Sequence, residues 1–193
     1  MKQFLGSFLA LSVLFLVSCS EDIDAPLTSG QVPSLFETAE EAEILTSFYA
    51  AISKADESPT VNLSEVLQNN GPFTLFAPTN DAFDALFDSW DRYESLDDFD
   101  TDAEGELLSR VLLYHLTEEL VVAASIQEGQ TLTTLQGEDL VFTLGGGIKV
   151  IDATASEARV LTSDINTSNG ILHLLDKVLL PQEIQNLFLN EGL

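Results

Sequence analysis

The chain has 193 residues, 45% of them apolar, enough to bury one ordinary hydrophobic core but not two. Its 32 acidic and 7 basic residues give a net charge of −25. That balance excludes nucleic acid as a partner, because no basic patch can displace counterions from phosphates, and it sets the protein body against anionic lipid headgroups.

Lys2 followed by an apolar run from Phe4 to Val17 reads as a targeting segment over residues 1–18, too short for a bilayer span of about 20 residues. The run ends in Leu16-Val17-Ser18-Cys19, which resembles the lipobox of bacterial lipoprotein precursors. The resemblance implies that Cys19 is acylated and becomes the N-terminus, so that the membrane is reached through N-terminal acyl chains. Cys19 is the sole cysteine, so neither an intramolecular disulfide nor free-thiol chemistry is expected. Ser20-Glu21-Asp22 resembles the acidic signal by which some bacteria place lipoproteins on the outer face. An outward-facing anchor in the outer membrane is therefore expected, with a periplasm-facing one as the alternative. Residues 19–33 are polar and acidic, carry Pro26, Gly30 and Pro33, and read as a tether.

Residues 34–181 read as the folded domain. Thr38 to Ala55 carries Ile44, Leu45, Phe48, Ala51 and Ile52 at helical spacing, with Glu40, Glu41 and Glu43 in the opening turns. Asn62-Leu63-Ser64-Glu65 has capping-box spacing for a short helix. Phe73 to Ala77 reads as a buried strand, and Pro78-Thr79-Asn80-Asp81 stops it and caps a helix to Asp88. A second box, Thr101-Asp102-Ala103-Glu104, opens a helix bearing Leu107, Leu108, Val111 and Leu112. After His115 the apolar period becomes two: Leu132, Leu140, Phe142, Val150, Val160, Ile171 and Leu174 fall in short runs separated by glycine turns. Asn169-Gly170 reads as a tight turn supplying φ > 0. Helices first and an antiparallel β assembly second predict an α+β fold. Residues 182–193, with Ile184, Leu187 and Phe188, read as a C-terminal helix or tail docked on the domain.

Three segments carry a family resemblance: Thr74 to Phe83, the pair Tyr114-His115, and Asn169 to Pro181. In order and spacing they resemble the fasciclin (FAS1) family. The resemblance implies a wedge-shaped β-sandwich flanked by helices, and a role in cell adhesion or extracellular-matrix-type contacts with a protein or polysaccharide at the cell surface. In animal relatives the Tyr-His region and an Asp-Ile pair before the closing signature are linked to integrin binding. The matching residues here, Tyr114, His115, Asp164 and Ile165, form the candidate interaction surface. A surface protein binding a small molecule or glycan in an apolar pocket is the alternative.

Catalytic signals are absent: the sequence has no Gly-x-Ser-x-Gly elbow, and Gly145-Gly146-Gly147 lacks the pattern of a nucleotide loop. His115 and His173 sit among apolar residues and read as core histidines bonded to backbone. No cofactor is expected. Asp98, Asp100 and Asp102 have the alternate spacing of a calcium loop. Ala103 stands where that loop needs glycine, however, and Ser109 where it needs a bidentate glutamate, leaving at most a weak site in a solvated loop.

Overall fold

In the computed structural model, which describes residues 32–59, 62–90 and 92–184, helix α1 (Leu35–Glu41) starts at a reciprocal cap. The Glu37 N–H donates to Ser34 Oγ (3.2 Å) and the Ser34 N–H to Glu37 Oε2 (2.7 Å). The targeting segment, Cys19, nearly all of the tether, and Leu187 and Phe188 lie outside the described residues. The single helix expected over Thr38–Ala55 is two. Ala42 is extended and ends α1, a 3-10 turn covers Glu43–Leu45, and α2 runs Thr46–Ala55. Asn80 makes the break tolerable, donating through Nδ2 to Glu43 O (2.8 Å) and accepting the Ser47 N–H at Oδ1 (2.9 Å). It is thus a bracket between elements rather than a cap of its own helix, and Ile44 on the turn is left exposed.

Helix α3 (Leu63–Asn69) is capped by Asn62, which accepts the Glu65 N–H at 3.0 Å. Strand β1 (Phe73–Pro78) is buried throughout, and α4 (Asn80–Asp88) follows Thr79. The expected box at Thr101 and Glu104 forms and opens α5 (Asp102–Leu113). The remaining strands are β2 (Leu116–Thr117), β3 (Thr131–Thr133), β4 (Asp139–Thr143), β5 (Lys149–Ile151), β6 (Glu157–Thr167) and β7 (Gly170–Leu175).

The strands lie in the order β2-β1-β7-β6-β5-β4-β3. The assembly is not wholly antiparallel: β1 inserts between β2 and β7 and runs parallel to β7, from Phe73 opposite Gly170 to Pro78 opposite Leu175. Strand β6 joins the two halves, pairing with β5 through Glu157–Arg159 and with β7 from Val160 onward, with bulges near Thr162. The ends of the sheet also meet, because the Leu135 N–H donates to Leu116 O at 2.8 Å.

Alternation along the central strands divides the core. Leu75, Ala77, Leu172 and Leu174 face the helices, packing with Leu35, Phe48, Ile52, Leu63 and Leu112. Phe76 and Leu175 face the other way into a second cluster with Tyr114, Leu140, Phe142 and Val150. Full burial of each such Leu or Phe contributes about 1.5–3 kcal/mol.

Two signature residues weld β1 to the α1 and α3 ends. Asn169 accepts the Leu35 N–H (2.8 Å) and donates to Leu67 O (2.7 Å) and Asn70 O (2.8 Å). Gly170 is not in the left-handed region expected of a turn glycine. A Cβ there would instead overlap the Phe73 carbonyl oxygen, so the close approach of β1 demands glycine.

Candidate interaction surface

Both histidines are core residues with every ring nitrogen engaged. His115 has Nδ1 2.7 Å from Val111 O, and Nε2 accepts the Leu179 N–H at 2.9 Å. An accepting Nε2 places the proton on Nδ1. His173 has the opposite tautomer: Nε2 donates to Val121 O (2.8 Å) and Nδ1 accepts the Asp164 N–H (3.2 Å). Burial strips water from the imidazolium and pulls His115 down to about 4 and His173 below its ordinary value. With no free nitrogen, neither ring is placed to act as a base. Tyr114 is likewise sealed, its hydroxyl donating to Asp139 O (3.0 Å) and accepting the Ala153 N–H (2.9 Å). Burial pushes the phenol well above its ordinary value.

The expected contact surface therefore needs correction, because Tyr114 and His115 are fully buried and present no area to a partner. They are anchors beneath a surface. Ile165 is half-buried opposite Leu172, while Asp164 is exposed at a left-handed φ of 61° inside the second bulge of β6, between Thr162 and Ile165.

What Asp164 does is hold a loop. Its carboxylate accepts the Ala123 N–H at 2.8 Å. Two residues earlier the His173 ring grips Val121 O, and Thr74 Oγ1 accepts the Val121 N–H (2.9 Å) while donating to Glu119 O (2.6 Å). The Val121 side chain is buried as a peg, and its neighbours are forced outward: Leu120 is 54% and Val122 43% exposed. Thr74 and His173 of the signature segments, with Asp164 just ahead of the last of them, thus fix a loop that presents two large apolar side chains to solvent. Sequence reasoning missed Leu120 and Val122, because Leu120-Val121-Val122 reads as one apolar run and only the clamps show which residue turns inward.

The part of the chain bearing this arrangement, residues 43–181, matches the fasciclin domain model. The chain belongs to the fasciclin domain family. It is 35% identical over 149 residues to protein sll1483 of Synechocystis, covering 77% of this chain and 73% of that protein. It is 30% identical over 161 residues to human periostin, of which it spans only 16%, covering 78% of this chain. Identity to the immunogenic protein MPB70 of Mycobacterium bovis is 34% over 138 residues, 71% of this chain and 63% of that one. A solved FAS1 domain pair from the insect cell adhesion molecule fasciclin I superposes with a TM-score of 0.64 at 17% identity, covering 80% of this chain and 53% of the pair. The fasciclin fold, α+β as expected, is thereby established.

Two further places in the fasciclin domain bear on a metal or an interior ligand. Asp98 Oδ2 accepts the N–H groups of Glu94 (2.7 Å) and Ser95 (3.0 Å), capping a 3-10 turn, while Asp102 begins α5. Among the described residues no three acidic, histidine or cysteine side chains converge as a metal site, so Asp98, Asp100 and Asp102 are not brought together. The apolar gap between α4 and α5, lined by Phe83, Phe87, Trp90 and Phe99, has a volume of about 10 Å³, room for about one water and not for the ligand of an apolar pocket. No helix among the described residues is long and apolar enough to cross a membrane.

Proposed function

We propose that this fasciclin domain is a non-catalytic adhesion module of a bacterial surface, anchored in the outer membrane through acyl chains on Cys19, facing outwards, and meeting a partner through the loop at 118–126. The fixed display of Leu120 and Val122 carries this reading. Exposed apolar side chains on a loop already held by Thr74, Asp164 and His173 bury apolar area on contact without the entropic cost of ordering the loop. The histidines, fully engaged with backbone, support a binding rather than a chemical role. The solved domain pair comes from a cell adhesion molecule, which supports the same class of function.

Cells displaying the full chain are compared with cells displaying Leu120→Ser/Val122→Ser in attachment and aggregation assays. The expected result is loss of attachment with an unchanged melting temperature and surface level. Attachment equal to the parent overturns the reading. Separately, Cys19→Ala is expected to release the protein from the membrane fraction, and retention there overturns the anchor.

A further inference from the structure

We propose that the groove beside the contact loop binds a neutral oligosaccharide, a stretch of an uncharged surface polysaccharide. The inference rests on the adhesion reading and names the chemistry of its partner. The groove, about 500 Å³, lies between the loop joining α3 to β1, the turn joining β6 to β7, and Leu120. None of the residues lining it is charged, on a chain in which 20% of residues are. An anionic ligand would meet no counter-charge there and the repulsion of the whole −25 body.

The walls carry neutral groups that both donate and accept. Asn69, Asn70, Asn166 and Ser168 are exposed on its rim. Carboxamides and hydroxyls of this kind match sugar hydroxyls, which also donate and accept at once. Pro72 and Leu120 add apolar surface against which the C–H face of a pyranose can lie. A second opening of about 540 Å³ shares Asn69 to Pro72 and continues towards Glu118, giving a path longer than one sugar ring.

The groove is also preformed. Asn169 ties its two walls together through Leu67 O and Asn70 O, and a Cβ on Gly71 would overlap Asn169 O. Rigid walls reduce the ordering cost of binding a flexible chain. An extended peptide is the poorer fit. The nearby sheet edge, β2, is two residues long, and Leu116 O is already taken by the Leu135 N–H, leaving little ladder for an added strand.

Full-length protein is titrated calorimetrically with neutral hexasaccharides (α- and β-linked glucan, mannan, galactan and xylan) and with hexagalacturonate. At least one neutral hexasaccharide is expected to bind with a Kd below about 1 mM. Asn70→Ala/Asn166→Ala weakens it about tenfold or more, as does the same-sized, charge-adding pair Asn70→Asp/Asn166→Asp. Binding by none of the neutral sugars, binding of hexagalacturonate alone, or binding indifferent to both pairs overturns the proposal. Attachment assays separate the two ideas. If only Leu120→Ser/Val122→Ser cells lose attachment and no neutral sugar binds, the groove assignment falls and the adhesion reading stands. If sugar binding is real and sensitive to the asparagine pairs but no variant alters attachment, the adhesion reading falls.

Discussion

Replacing Thr74 with valine keeps the shape of a fully buried side chain and removes one hydroxyl, which alone joins Val121 N to Glu119 O. The Val121 N–H is buried, and stranding such a donor costs about 1–3 kcal/mol, while the lost bond to Glu119 O adds about 0.5–1.5 kcal/mol. The extra buried methyl offsets about 0.8 kcal/mol. A net loss of about 2 kcal/mol, in a range of about 1–4 kcal/mol, lowers the melting temperature of a domain this size by about 4–8 °C. The damage is also local: amide exchange at Val121 and Ala123 accelerates more than exchange in β1 or β7. Thr74→Ser keeps the hydroxyl and loses a methyl, so it preserves loop protection at a cost of about 1 kcal/mol. Calorimetry and hydrogen exchange on the three proteins decide the matter. A Thr74→Val melting temperature within about 2 °C of the parent, with loop protection intact, would refute the claim that this hydroxyl fixes the contact loop.

Gly170→Ala forces a Cβ into the Phe73 carbonyl and is expected to cost more than about 3 kcal/mol; a melting temperature near the parent's shows that β1 and β7 are not so closely apposed. Both histidines have folded pKa values below their unfolded ones, His115 at about 4, so below pH 6.5 the unfolded chain binds more protons. Their contribution is therefore complete above about pH 6.5 and is lost as pH falls through each folded value, about 4 for His115, with a slope of up to about 1.4 kcal/mol per pH unit for each ring. Urea midpoints between pH 7 and 4.5 test this: the parent declines, His115→Gln declines less steeply, and equal slopes contradict the assignment. The net charge of −25 predicts a melting temperature that rises with ionic strength as repulsion is screened; thermal scans flat from low to high salt count against a stability limited by self-repulsion.

Local chemistry explains which features were legible in the sequence. The Thr101–Glu104 box, the buried run at β1 and the two-residue period of β3, β4 and β5 depend on neighbours a few positions apart, and they formed where those neighbours placed them. The motif order in Thr74 to Phe83, Tyr114-His115 and Asn169 to Pro181 was enough to indicate the fasciclin fold. The break in the first helix was not legible, because the groups that stabilise it come from Asn80, 33 residues beyond Ser47. The parallel pairing of β1 with β7 was hidden for the same reason, and so was the need for glycine at 170.

The candidate surface shows that division most sharply. Sequence alone determined that Tyr114, His115, Asp164 and His173 belong to one architecture, and that no catalytic constellation is spelled out along the chain. Only the tertiary structure decided that Tyr114 and His115 lie inside, that Asp164 and His173 grip the loop around Val121, and that Leu120 and Val122 stand exposed beside it. The reason is physical: burial and hydrogen bonding are settled between residues that lie 41 to 52 positions apart along the chain, whereas a pattern in sequence reports only what its neighbours prefer.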